Sequence, residues 1–312
     1  MNYAPLPTPD QLERLANAMS PGGRLKHVRR LTGGLDNTMD VLDVTNVDGS
    51  CRRVVLRRYG PWRTGANVVD REITALRVAA RADIPAPEAL WFDEAAIFEQ
   101  PTIVISYIDG EPVLQPQHSL DWADQMATAL AQIHAISLTP AEQAKLWDLH
   151  DSLFLEIRES GITDRFLAHV LGQELWNLRK LALDRVELGQ STFLHRDYHP
   201  GQVLWRDGRL VGVVDWQDAA FGDPASDVAY CASDLTYCGF PEAADRFVET
   251  YRSITGRDLA SLPFWNAVAL GRPLPDIAQW LPAWHASGRT DLTAEVVRQR
   301  HHDLIERALK NT

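Results

Sequence analysis

The spacing of apolar residues changes character near residue 112. Before that point the pattern is strand-like. RLKHVRRL and MDVLDVTN read as strands, and VTNVDGSCRRVVLRRY sets an Asp48-Gly49 turn between two apolar runs, the signal of a hairpin. GANVVDREITALRVAARAD reads as the one helix of this part, with Val69, Ile73, Leu76 and Ala80 on one face. Ile84-Pro85-Ala86-Pro87 cannot continue it, because proline lacks the amide donor and restricts the residue before it. PTIVISYIDG is a short continuous β run ending in a turn. Beyond residue 112, DWADQMATALAQIHAI, the segment 163–183, the stretch after Pro241 and DLTAEVVRQRHHDLIERALK all carry helical spacing. Between them lies FLHRDYHPGQVLWRDGRLVGVVDWQD, read as short strands and loops. The expectation is an α+β chain with a small β-rich lobe over 1–108 and a larger helical lobe over 109–312.

Bulk properties narrow the function classes. With 312 residues, 45% hydrophobic and 23% charged, the chain reads as globular and long enough for two lobes. It has no run of about 18 uncharged apolar residues, so no membrane span is expected. The start, MNYAPLPTPDQLERL, lacks the basic-then-apolar order of a secretory signal. Cys51, Cys231 and Cys238 form neither a metal-type pair nor an even disulfide set, which fits a reducing cytoplasm. A net charge of −11 argues against a nucleic-acid partner. The charge is uneven. Residues 1–110 hold 13 Lys+Arg and 14 Asp+Glu, whereas residues 111–312 hold 18 and 28. An acidic lobe beside a neutral one would steer a cationic small molecule, or serve solubility alone.

Three polar groups stand at fixed offsets in the central stretch. Asp197 lies between apolar Phe193-Leu194 and the helix-breaking His199-Pro200-Gly201, and so belongs on a tight loop. Gln202 opens the run Val203-Leu204-Trp205. An Asp207-Gly208 turn leads back through Leu210 to Val214, and Asp215 ends that second strand. Such a hairpin brings positions 202 and 215 together with 197 at its mouth. Two carboxylates and an amide oxygen are hard donors suited to Mg²⁺, an ion that completes its shell with phosphate oxygens. Phosphoryl transfer follows, with Asp197 accepting the proton of a substrate hydroxyl and Asp215 and Gln202 holding the metal.

HRDYHPGQVLW followed by VVDWQDAAFGDPASDVAY resembles the aminoglycoside phosphotransferase and choline kinase-like family, which has a bilobal protein kinase-like fold. The resemblance implies a small-molecule kinase using ATP or GTP with Mg²⁺. It implies that Arg57, in Val54-Val55-Leu56-Arg57, takes the place of the strand lysine, since the first 110 residues hold only Lys26. It implies that Glu72 on the following helix pairs with that base. Gly33 and Gly34 would sit in a phosphate-covering loop, and the backbone of Ser106 and Ile108 would meet the nucleobase. His195 would brace the catalytic loop, with Asp227 as its partner.

Where the family has Asn, this chain has Gln202, one methylene longer. That departure leaves open a module that binds nucleotide without turnover. For the acceptor, an aminoglycoside is one candidate, and choline-, homoserine- and sugar amine-type acceptors stand beside it. Trp265, Trp280 and Trp284 could line an acceptor pocket or the core, Asp218 and Asp223 could meet a cation or shape turns, and His301-His302 are expected at the surface. No G-x-x-x-x-G-K-[ST], G-x-S-x-G or H-E-x-x-H occurs, which speaks against Walker-type NTPases, serine hydrolases and zincins.

Overall fold

The computed structural model describes residues 4–31, 37–60, 67–82, 84–93 and 96–310, with the side chains of 151 and 152 excepted. The chain divides into two compact units, Met1–Asp109 and Gly110–Thr312.

The first unit contains α1 (Pro9–Met19), β1 (Arg24–Leu31), β2 (Thr38–Thr45), β3 (Cys51–Arg58), α2 (Val68–Arg81), β4 (Ala89–Asp93) and β5 (Thr102–Ser106). The strands form one antiparallel sheet in the order β1-β2-β3-β5-β4. The β2–β3 hairpin closes at the anticipated Asp-Gly turn. Asp48 Oδ1 accepts the Ser50 N–H at 2.9 Å, and Gly49 supplies the left-handed φ of +81°. Because side chains alternate across a sheet, β2, β3 and β5 bury both faces. Leu42, Val44, Val54, Leu56 and Val104 pack with Leu15 of α1 on one of them. Arg57 points the other way, where it meets Glu72 of α2. On the α1 side Asp40 is fully buried and takes Arg58 at 2.8 Å, Arg30 at 3.1 Å and His27 at 3.1 Å. A carboxylate so deep is tolerated only because cations surround it.

A single helix was expected in this unit, yet α1 is a second one. Thr8 and Gln11 form a reciprocal capping box and Pro9 occupies its first turn. Ala80, expected on the inner face of α2, is exposed, while Val69, Ile73 and Leu76 are buried.

The second unit runs β6 (Glu111–Pro112), α3 (Ser119–His134), α4 (Pro140–Gln143), β7 (Trp147–Asp148), α5 (Leu149–Glu159), α6 (Asp164–Leu167), α7 (Gly172–Leu183), β8 (Thr192–Leu194), β9 (Val203–Arg206), β10 (Arg209–Val213), β11 (Ala220–Gly222), α8 (Ala225–Tyr237), α9 (Pro241–Thr255), α10 (Leu262–Leu270), α11 (Leu281–Ala286) and α12 (Ala294–Lys310). Two small sheets, β10-β9-β6 and β7-β11-β8, flank the central loop region. The segment 163–183, expected as one helix, is broken into α6 and α7. A side chain at Gly172 would place its Cβ 1.7 Å from the Phe166 carbonyl oxygen, so the chain turns there with the only residue that fits. Trp176, Phe166, Tyr237, Trp284 and Ile305 share one core cluster, and Trp265 is buried as well. His301 is also buried, contrary to the surface placement expected. Its Nε2–H donates to the Leu270 carbonyl at 2.9 Å, and burial lowers its pKa to about 4. Among the described residues no helix is long and apolar enough to cross a membrane.

Candidate active site

The loop after β8 and the end of β10 converge as the β9–β10 hairpin requires. Val203 pairs with Val213, which brings the residues just outside the pair, Gln202 and Val214, together; the Val214 N–H donates to the Gln202 carbonyl at 2.9 Å. Gln202 Nε2 then donates to Asp197 Oδ2 at 2.9 Å and to Asp215 Oδ2 at 3.2 Å. Two carboxylates that lie 18 residues apart in sequence therefore reach one nitrogen. Carboxylates only accept hydrogen bonds, so the amide must present its NH₂ to them.

The backbone here is held in unusual conformations. Arg196 has φ +71° and Asp215 φ +69°, left-handed values that non-glycine residues rarely adopt. Asp227, in the first turn of α8, fixes the first of these. Its Oδ2 accepts the His195 N–H at 2.8 Å, its Oδ1 accepts the Arg196 N–H at 2.9 Å, and His134 Nε2 lies 3.2 Å from Oδ2. The carboxylate thus meets the main chain of His195 rather than its ring. The ring has other work. Its Nε2–H donates to the Val214 carbonyl at 2.9 Å while Nδ1 accepts the Asp197 N–H at 3.2 Å. Complete burial lowers the His195 pKa, outweighing the nearby aspartates, so the imidazole is neutral as this pattern demands.

Asp197 is the most heavily engaged group. Oδ1 accepts from Tyr230 Oη at 2.7 Å and from Arg272 Nη2 at 3.0 Å, and His199 Nε2 stands 3.6 Å from Oδ2. Burial by itself would raise this carboxyl. His199, Arg272 and the Gln202 hydrogen bond more than reverse that and hold it well below the usual carboxylate range. Gly201 N–H donates to His199 Nδ1 at 3.1 Å, which leaves the ring proton on Nε2 facing Asp197.

Behind His199 lies Asp234, 3.8 Å from its Nδ1, with an Oδ1 that is buried and has no hydrogen-bond partner among the described residues. Burial pushes this carboxyl up to about 7, against His199, which lowers it. The native state then holds a proton that the unfolded chain releases near pH 4. Stability falls as pH rises through the window from about 4 to 7, and the whole penalty, at most about 4 kcal/mol, is present above it. Asp234→Asn is expected to flatten that slope. Its melting temperature should exceed that of the wild type by several degrees at pH 8, by less at pH 5, and match it only below about pH 4; a lower value at pH 8 would contradict this account.

In the first unit Arg57 and Glu72 are paired as the sequence suggested. Arg57 Nη1 donates to Glu72 Oε1 at 2.7 Å, and the two side chains are only 2% and 1% exposed. Tyr59 Oη donates to the other Glu72 oxygen. The Ser106 N–H is taken by the Glu88 carbonyl at 2.9 Å, and its hydroxyl accepts the Glu88 N–H at 2.9 Å. Gly33 and Gly34 lie outside the described residues. Tyr59, Tyr230, Asp234 and Arg272 were not singled out from the sequence. Tyr59 follows Arg57 by two positions, on the same face of the strand, and that spacing was available.

A sequence profile of the phosphotransferase enzyme family matches residues 27–265. The chain belongs to this family. The viomycin phosphotransferase of Streptomyces vinaceus is 32% identical over 141 residues, which cover 42% of this chain and 49% of that protein. The chain spans about half the length of the first curated relatives it matches. Among solved structures, a spectinomycin phosphotransferase bound to ADP and spectinomycin superposes with a TM-score of 0.62 at 13% identity, covering 96% of this chain and 98% of that one. A macrolide 2′-phosphotransferase from Brachybacterium faecium gives 0.58 at 21%, covering 97% and 98%. The phosphotransferase family thus accounts for the fold: a mixed α+β, protein kinase-like arrangement with a β-sheet unit followed by a helical one.

Proposed function

We propose that the protein is a small-molecule kinase that moves the γ-phosphoryl of ATP or GTP to a hydroxyl of a small acceptor. The observation that carries this reading is the meeting of Asp197 and Asp215 at Gln202 Nε2. Membership of the phosphotransferase family and the likeness to viomycin phosphotransferase support it.

Asp197, kept ionised by Arg272 and by the hydrogen bonds it accepts, orients the acceptor hydroxyl. It receives the proton as the acceptor oxygen bonds to the γ-phosphorus and the bond to the β–γ bridging oxygen breaks. Glu72 holds Arg57, whose planar guanidinium is suited to the nucleotide phosphates. With the Ser106 N–H committed to Glu88, Ile108 supplies the main-chain donor for the nucleobase. The two carboxylates and the amide oxygen form a donor set that fits Mg²⁺, and Asp215 and Gln202 would hold it. When bound, the ion would neutralise charge on the transferring phosphoryl group. Gln202 must turn its amide about to offer oxygen, because its NH₂ group faces both carboxylates.

Gln202→Asn is accordingly expected to keep or raise turnover. The shorter amide withdraws from its bridging position, and half-saturation should move to lower Mg²⁺. A large loss in steady-state rate would mean that the loop is built around glutamine. The reading as a whole is tested by ADP release from ATP and Mg²⁺ across a panel of hydroxyl-bearing amines, sugars and antibiotics, with Asp197→Asn as control. Nucleotide binding with no turnover that depends on Asp197 would instead identify a nucleotide-binding regulatory module.

A further inference from the structure

We propose that the acceptor carries an oxyanion, a carboxylate or a phosphate, close to the hydroxyl that is phosphorylated, and that Arg272 binds it. The inference rests on the phosphotransferase reading above and departs from the cationic acceptor suggested by net charge.

Arg272 stands in the turn after α10 and is fixed by two contacts. Its guanidinium lies over the Tyr230 ring, and its Nη2 donates to Asp197 Oδ1 at 3.0 Å. The Tyr230 hydroxyl donates to the same oxygen at 2.7 Å. About a third of the Arg272 side chain is open to solvent, at 35%. Its Nη1 is nevertheless buried and has no hydrogen-bond partner among the described residues. A buried guanidinium donor without an acceptor is costly, and the planar fork suits a carboxylate or phosphate oxygen best.

Counting lone pairs shows what such an oxyanion would do. A carboxylate oxygen accepts two hydrogen bonds comfortably, and Asp197 Oδ1 already accepts two, from Tyr230 and Arg272. An acceptor oxyanion that draws Arg272 onto itself releases one position on Oδ1, and the acceptor hydroxyl takes it. A neutral or cationic molecule has nothing to draw the guanidinium away and is left the remaining position on Oδ2, beside the Gln202 amide at 2.9 Å and the His199 ring at 3.6 Å. Charge points the same way at short range. Arg196, next to Asp197 in sequence, acts on Arg272 as a like charge, and Asp218 opposes both guanidinium groups. A polycation would meet that pair directly. The acidity of residues 111–312 is spread over a whole unit, and charges beyond a Debye length of about 8–10 Å are largely screened. Contact chemistry decides the acceptor, and dispersed charge does not.

The experiment compares matched acceptors with ATP and Mg²⁺ by ADP release: glycerate against glyceramide, glycerol 3-phosphate against glycerol, and an aminoglycoside as the cationic arm. At least one anionic member should exceed its neutral partner by tenfold or more in kcat/KM, and which pair responds separates carboxylate from phosphate. Arg272→Gln should erase that preference mainly through the acceptor KM, with the KM for ATP unmoved, and Arg272→Lys should recover part of it. A preference for the neutral partner or the aminoglycoside overturns the proposal. So does an aminoglycoside reaction that speeds up in Arg272→Gln, since Arg272 would then be a plug. If no acceptor on the panel is turned over, inorganic phosphate is titrated in the presence of saturating ADP and Mg²⁺. It should raise the melting temperature of the wild type and not of Arg272→Gln, and an equal response in both overturns the proposal. Failure of the kinase reading looks different: no ATP consumption sensitive to Asp197→Asn with any acceptor, whatever the phosphate response.

Discussion

Asp197→Asn is expected to lower kcat by about 10²–10⁴, the usual contribution of a positioned proton acceptor. The substitution keeps the size of the side chain and changes what it can accept. Tyr230 and Arg272 donate to one oxygen, and Gln202 donates to the other. Whichever way the asparagine amide turns, its NH₂ group faces a donor across a hydrogen-bond distance. The site therefore loses both its proton acceptor and part of its order. The measurement is single-turnover ADP formation, with ATP-induced thermal stabilisation recorded alongside. Stabilisation should persist, because the Arg57–Glu72 pair lies in the other unit. Turnover above a tenth of the wild-type rate would remove Asp197 from its assigned role.

Asp227→Ala should have the largest effect on stability, about 3–5 kcal/mol, as expected when one partner leaves a buried charged network. The carboxylate accepts the His195 and Arg196 N–H groups and faces His134, all within 3.2 Å. Burial raises its pKa, yet the hydrogen bonds it accepts from His134 and from the His195 main chain help bring the balance below the ordinary value. Alanine leaves three donors without an acceptor and no restraint on the left-handed Arg196. Chemical denaturation should show the loss directly, and kcat should fall with it because Asp197 is the next residue. Asp227→Asn, with one acceptor oxygen, is expected between alanine and the wild type. A loss below about 1 kcal/mol for alanine would mean that the loop is held by something else.

How much of this was visible in the sequence depends on how locally each feature is encoded. Strands and the Asp48-Gly49 hairpin follow from alternation and turn chemistry, which act between neighbours. Gln202 and Asp215 bracket one hairpin, whose two-residue turn brings them together, and Asp197 lies only five residues upstream on the loop at its mouth. Arg57 and Glu72 needed only one strand followed by one helix. The α1 helix was overlooked although Thr8, Pro9 and Gln11 spell out its cap. His301 was misplaced although Val297, His301 and Ile305 recur every fourth residue, the spacing of a buried face. The break at Gly172 is of another kind. Apolar spacing runs on across it, and the close approach of the Phe166 carbonyl, which only glycine admits at position 172, leaves no mark in that spacing. Arg272 and Asp234 belong to the least legible class. They reach the site across 75 and 37 positions of chain, with no spacing or motif that announces them.

His195 fastens two carboxylate-bearing segments with one uncharged ring, bonded to the main chain at Val214 on one side and Asp197 on the other. Damage to that rivet would displace both acids at once. The penalties of altering His195 and either aspartate should therefore overlap instead of multiplying, and a double-mutant cycle would register the shortfall as coupling.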